Sequence, residues 1–338
     1  MNETNSVLYQ REGSYIPRVA AVHDLCGYGK CSLGVAIPVL SAAGCDVCPV
    51  PTSLFSAHTK FPTFYMHDTT NMLEDYLDAW QEEGIDLDAI YSGFLGAAEQ
   101  VASIQRLYQE HPKALRVVDP VMGDGGKMYP TYTQELCDAM KALVNGADIL
   151  TPNLTEASIL TGIPYAGQDL TDEQVDELLD ALLEMGAKCV VLKGIVRGDG
   201  LIRNFVATES ERGEIVSELL PYMLHGTGDL FASALLAAVM CGQEIADAVE
   251  FAGEFGHFVR QIVALANIVC YVIQFASVCS PIVYQVIRAV HQCRRGSVAI
   301  AFADVCGPEM WVMPHNLAFA MQLWVAQEWH KATPIHHL

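Results

Sequence analysis

Short runs of branched apolar residues alternate along the chain with longer amphipathic stretches, and this alternation predicts the fold class. Arg18–Val22, Ala89–Tyr91, Leu115–Asp119, Ile149–Thr151 and Cys189–Lys193 are short, β-branched and continuous rather than alternating, the pattern of strands covered on both faces. Between them, Leu33–Ala43, Met72–Glu83, Ala98–Glu110, Gln134–Val144 and Asp172–Met185 carry apolar positions at helical spacing. Strand then helix, repeated, predicts an α/β domain built on a parallel, doubly wound sheet. Ligands of such sheets bind beyond the carboxyl ends of the strands. Gly162–Asp172, with Pro164, Gly167 and two aspartates, reads as a connecting loop, and no internal repeat or low-complexity tract interrupts the pattern.

Charge narrows the range of partners. The 338 residues contain 19 Lys and Arg against 40 Asp and Glu, a formal charge of -21. That field repels a nucleic-acid backbone and anionic lipid, so no nucleic-acid partner is expected. It also repels a nucleotide, so a nucleotide site must rely on local helix ends, a few Lys or Arg side chains and Mg²⁺. Met1–Pro17 form a polar extension without an apolar core of signal-peptide length, which predicts a cytoplasmic protein. The eleven cysteines are scattered. Cys45-Asp-Val-Cys48 has C-x-x-C spacing but lies in a strand-like stretch with no His or second pair after it, and buried free thiols explain it better than zinc or redox chemistry.

The most informative string is His225-Gly226-Thr227-Gly228-Asp229, which runs into the apolar, helix-like Leu230–Met240. Two glycines let the backbone approach a ligand, and the following helix points free N–H groups and its positive dipole end at an anion. Asp229 would repel that anion, which makes it more sensible as the base that takes a proton from an attacking hydroxyl. The combination suggests phosphoryl transfer, although the spacing is not that of a Walker loop. An N-cap role for Asp229 is the plainer alternative. Asn153 and Glu156, three apart after Ile149–Thr151, suit a hard Mg²⁺ ion and equally suit a helix capping box.

Six ordered blocks between residues 18 and 260 resemble the pyridoxal/pyridoxamine kinases of the ribokinase-like superfamily. They are Val19–Ser32, Ser56–Thr59, Tyr91–Gln100, Val117–Asp124, Thr151–Glu156 and His225–Ser233. The resemblance implies a three-layer α-β-α domain with a central, mostly parallel sheet, which uses ATP and Mg²⁺ to phosphorylate the hydroxymethyl group of pyridoxal, pyridoxamine or pyridoxine. It implies Asp229 as catalytic base, with Gly226, Thr227 and Gly228 as the anion hole. Asp119, Asn153 and Glu156 are placed at the metal and phosphates, with Asp119 and Glu156 as metal ligands. Lys193 is placed against the nucleotide, though other members carry Ser or Thr near this point. A turn containing His23 and Asp24, and a loop with His58 and Thr59, are implied to face the pyridine ring; Gly123–Tyr129 is implied as a flap over ATP. Homodimers are usual in the family. A hydroxymethylpyrimidine kinase of the same superfamily, or a non-catalytic B6-binding protein, remains as an alternative reading.

The tail changes character. Residues 261–338 carry only Arg288, Arg294, Arg295 and Lys331 against Asp304, Glu309 and Glu328, and no charge occurs from Gln261 through Ile287. That stretch is long enough for a membrane span but is broken by Gln, Asn, Ser and Pro. A buried or interface helix, a non-native C-terminus and a membrane anchor are the three readings; the abrupt loss of acidic residues favours the second, and the anchor has the least support.

Overall fold

The computed structural model describes residues 7–220, 225–257 and 259. Strand β1 (Arg18–Tyr28) leads to helix α1 (Leu33–Ala42), then β2 (Asp46–Ala57), β3 (Met66–Asp68) and α2 (Thr70–Glu82). Next come β4 (Ala89–Ser92), α3 (Gln100–Glu110), β5 (Leu115–Val118) and a small hairpin of β6 (Gly123–Asp124) and β7 (Lys127–Met128). Helix α4 (Gln134–Val144), β8 (Ile149–Leu150), α5 (Leu154–Thr161) and α6 (Asp172–Glu184) follow. The strands β9 (Cys189–Ile195), β10 (Leu201–Thr208) and β11 (Arg212–Glu218) precede α7 (Thr227–Met240), and a further helical stretch covers 245–257.

Nine strands form one sheet in the order β11-β10-β9-β8-β5-β4-β1-β2-β3. The six strands from β9 to β2 are parallel, and β3, β10 and β11 are antiparallel additions at the edges. Successive residues of a strand face opposite ways. Val19, Ala21, Tyr91, Val117, Ile149 and Val191 accordingly pack under α1, α7 and the 245–257 helix. Ala20, Val22, Ile90, Val118, Leu150 and Val190 pack under the helices from α2 to α6. Two cores, one per face, are why the central strands read as unbroken apolar runs; the fold is the three-layer α-β-α sandwich expected.

Three local readings are corrected. β1 continues through Tyr28, paired with β2 across an irregularity between His23 and Leu25, so His23 and Asp24 lie in a bulged strand rather than a turn. Ser56 and Ala57 likewise end β2. β10 and β11 had no strand-like run; β11 reads Arg-Gly-Glu-Ile-Val-Ser-Glu and lies largely exposed at the sheet edge, where no apolar face is required.

Within the N-terminal extension, Arg11 donates to the carbonyls of Ala43 and Gly44 just beyond α1, each at 3.1 Å. The hydroxyls of Tyr9 and Tyr15 both donate to Asp88. The atypical segment 261–338 lies outside the described residues. Among the described residues, no helix is long and apolar enough to cross a membrane, and Cys45 and Cys48 belong to no cluster of metal-ligating side chains.

Candidate active site

Gly226 caps α7 in the left-handed region, at φ 78°. A Cβ there would stand 2.7 Å from the Lys30 carbonyl, so glycine both permits the turn and lets it press against the β1–α1 connection. The helix's hydrogen-bond ladder begins with Leu230 N–H donating to the Gly226 carbonyl. The amides of Gly228 and Asp229 therefore precede the ladder at the positive end of the helix dipole.

Asp229 is half-buried in the first turn, and its Oδ2 accepts the backbone N–H of Ser32 at 2.9 Å. Ser32, at φ 48°, is the non-glycine residue with positive φ among the described residues. Only a loop held from both sides keeps such a residue there; nothing in the sequence marks Ser32 as the group that orients Asp229. Burial, with repulsion from Asp119 and Asp24, raises the Asp229 carboxyl from its ordinary 3.8 to about 7, against the opposing pull of the Ser32 N–H and Lys193.

Asp119, fully buried just past β5, accepts Lys193 Nζ on Oδ1 at 2.5 Å. Its Oδ2 has no hydrogen-bond partner among the described residues. Lys193 also reaches the glycine turn: a Cβ on Gly228 would lie 3.5 Å from its Nζ. Burial alone would lower the pKa of this ammonium, but Asp119 and Glu156 outweigh it and the net shift is upward. The cation is thus held charged between the ends of β5 and β9 and the start of α7.

Asn153 and Glu156 make the capping box their spacing allowed. Asn153 Oδ1 accepts Glu156 N–H at 3.0 Å and Glu156 Oε2 accepts Asn153 N–H at 2.7 Å. Asn153 Nδ2 also donates to the Gly123 carbonyl at 2.9 Å, and Gly126 N–H donates to Thr155 Oγ1, which ties the β6–β7 hairpin to the start of α5. Glu156 is buried, and desolvation raises its carboxyl to about 8 even though Lys193 opposes the shift. The cap does not exhaust the residue: Glu156 shares its electrostatic environment with Asp119 and Lys193.

The donor set fits a hard divalent cation. Oxygen donors dominate, Asp119 Oδ2 is a buried acceptor with no partner among the described residues, and three carboxyl groups surround Lys193.

The N-terminal residues divide. His58 is buried, with its ring 4.3 Å from that of His225 and its Nδ1 accepting Lys60 N–H at 3.2 Å. Its ring also fills the space beside Gly29, so it joins the β1 and β2 ends to the residue just before the glycine turn. Thr59 follows, half-buried, in the turn after β2. His23 is fully buried, edge-on to Tyr91 at 4.2 Å and packed on Gly93, and no part of its ring is open to a ligand here. Desolvation lowers its pKa to about 3, so the imidazole is neutral.

Comparison with known proteins identifies the family and the fold. The phosphomethylpyrimidine kinase family matches residues 36–266. A pyridoxine/pyridoxal/pyridoxamine kinase of Bordetella avium is 32% identical over 252 residues, covering 70% of this chain and 82% of the relative. A Bacteroides thetaiotaomicron protein, described provisionally as a phosphomethylpyrimidine kinase and crystallised with pyridoxal, superimposes with a TM-score of 0.70 at 33% identity, over 74% of this chain and 88% of its own. The pyridoxal kinase of Lactobacillus plantarum gives a TM-score of 0.70 at 29% identity, over 75% and 91%. With the family matched over residues 36–266 and a relative 32% identical across 82% of its own length, the chain belongs to the phosphomethylpyrimidine kinase family of ribokinase-like enzymes.

Proposed function

We propose that this kinase transfers the γ-phosphoryl group of ATP to the hydroxymethyl group of pyridoxal, pyridoxamine or pyridoxine, a reaction of vitamin B6 salvage. The observation that carries the reading is the placement of Asp229: a carboxyl with a pKa near 7 stands in the first turn of a helix whose start is built to receive an anion. Asp229 takes the hydroxymethyl proton, and the oxygen attacks the γ-phosphorus in line as the bond to the β-bridging oxygen breaks and ADP leaves. Backbone amides of Gly226, Thr227 and Gly228 receive the charge that develops on the phosphoryl oxygens. Lys193 exchanges part of its hold on Asp119 for a nucleotide phosphate. Asp119 and Glu156, with Asn153 beside them, would hold Mg²⁺, which would supply neutralising charge for the nucleotide phosphates. Thr59 and His58 border the ring pocket, while His23 supports its floor from within the sheet. A homodimer and a cytoplasmic location complete the reading, on the family resemblance.

The test is ADP release with ATP and a panel of pyridoxal, pyridoxamine, pyridoxine and hydroxymethylpyrimidine. Turnover with at least one B6 vitamer is expected. The family's name gives the pyrimidine a specific claim, and turnover with the pyrimidine alone would establish that reading instead. Pyridoxal binding without any ADP release would make the chain a binder rather than a kinase.

A further inference from the structure

Asp24, Cys26 and Cys31 lie around the end of β1 and the connection to α1; Asp24 acts on Asp229 through its charge alone, and no step of the phosphoryl-transfer scheme takes place on the three side chains. All three are buried, with 4%, 6% and 7% of their surface exposed. Cys31 Sγ–H donates to Cys26 Sγ at 3.3 Å, and Cys26 Sγ–H donates to Asp24 Oδ2 at 3.3 Å. Their ligating atoms all fall within 4.8 Å of one another, and no other group of three among the described residues does so.

Two physical arguments point to a cation here. The first is charge: the Asp24 carboxyl is buried beside the two sulfurs, accepts hydrogen bonds from the Ser32 hydroxyl and the Cys26 thiol, and makes no ion pair among the described residues. A buried carboxylate without a counter-charge is costly, and a bound cation removes that cost. The second is distance. Two sulfurs on a tetrahedral zinc, each at ~2.3 Å, stand ~3.8 Å apart, so the pair needs to open by only about 0.5 Å. A disulfide, at ~2.05 Å, requires it to close by more than 1 Å.

We propose that Asp24, Cys26 and Cys31 form a binding site for one thiophilic divalent cation of the Zn²⁺ class, separate from the oxygen-rich site for Mg²⁺ and nucleotide. Sulfur donors select such an ion over Mg²⁺. Binding forms two metal–thiolate bonds and one metal–carboxylate bond, and the two thiol protons leave to solvent. A water or the Ser32 hydroxyl completes four-coordination. Because Ser32 directly follows Cys31 and its N–H holds Asp229, the ion braces the connection that orients this carboxyl.

Metal content tests this without reference to turnover. The full chain, kept reduced, is equilibrated with Zn²⁺ and dialysed; bound zinc is then counted per chain by elemental mass spectrometry, and the Co²⁺-loaded form is examined for thiolate-to-metal absorption. Wild type should retain one zinc more than Cys26→Ser or Cys31→Ser and show the absorption, which both variants lose. Cys48→Ser should behave as wild type. Asp24→Asn keeps both thiols and should weaken zinc binding by at least ~10-fold, the scale on which a lost ligand or its support acts. Equal zinc in wild type and both serine variants would place the ion elsewhere and overturn the proposal. So would wild type without thiolate absorption, a reading that depends on no variant's folding, or a Cys26–Cys31 disulfide formed in preference to metal.

Discussion

Replacing Asp229 by Asn separates two consequences of one electrostatic fact. The raised pKa means that the folded protein holds Asp229 as a carboxylate only against burial and the nearby carboxyl groups of Asp119 and Asp24. A rise from 3.8 to about 7 corresponds to an ionisation cost of at most about 4 kcal/mol. Asp229 is half-buried, so solvent screening reduces this, and we take about 2 kcal/mol as the working figure. The sign follows from proton binding: between pH ~4 and ~7 the folded state binds the proton more tightly than the unfolded chain, so this group's contribution to stability falls as pH rises through that window. The asparagine side chain of the Asp229→Asn variant cannot ionise, and its amide oxygen can still accept the Ser32 N–H. The variant should therefore gain stability over wild type as pH rises from about 4 to 7, with a level advantage above that. At ~2–4 °C per kcal/mol the expected gain in Tm at pH ~8 is about 4–8 °C. The same change should lower turnover at least ~100-fold while leaving ATP affinity within about threefold, because it removes a positioned base. Thermal unfolding across pH and a coupled assay of ADP release, with kcat in wild type rising through pH ~7, supply the measurements. Near-normal turnover in the variant would remove Asp229 from the mechanism; a Tm difference independent of pH would refute the electrostatic account.

Glu156→Gln should preserve much of the capping box, since an amide oxygen still accepts the Asn153 N–H, but should raise the Mg²⁺ concentration needed for half-maximal rate; loss of thermal stability alone would leave the cap as its whole role. Thr59→Val keeps the side-chain shape and deletes a donor, so the B6 substrate should bind more weakly by about 0.5–1.5 kcal/mol, with ATP binding unchanged in the same calorimetric titrations. Gly226→Ala brings a Cβ against the Lys30 carbonyl in the left-handed region and should cost roughly 1–3 kcal/mol of stability and most of the turnover. Wild-type-like unfolding and rate would show that the turn does not depend on that close approach.

The sequence by itself determined the layers, because burial on both faces leaves its mark in composition. Strands such as Val117–Val118 and Cys189–Leu192 have no polar face to show, and the helices between them carry one apolar side each. Gly226 and Asp229 were legible for the same local reason, a glycine where the backbone needs positive φ and an acid at a helix start. The edge strand β11 was hidden, since an exposed edge leaves no continuous apolar signature, and β10 beside it starts with half-buried Leu201–Arg203 and mixes Arg203 and Asn204 into its run. Only tertiary structure decided what holds Asp229: Ser32 is 197 positions away in sequence, and its N–H is aimed by a backbone conformation its side chain does not advertise. The same holds for Lys193 on Asp119 across 74 positions, for the burial of His23 inside the sheet, and for the meeting of Cys26, Cys31 and Asp24 where β1 gives way to α1. Local pattern encodes which side of an element is buried. Which buried groups then face one another is set by strand order and by where each connection turns, and it is those distances that shift the pKa values and give the site its chemistry.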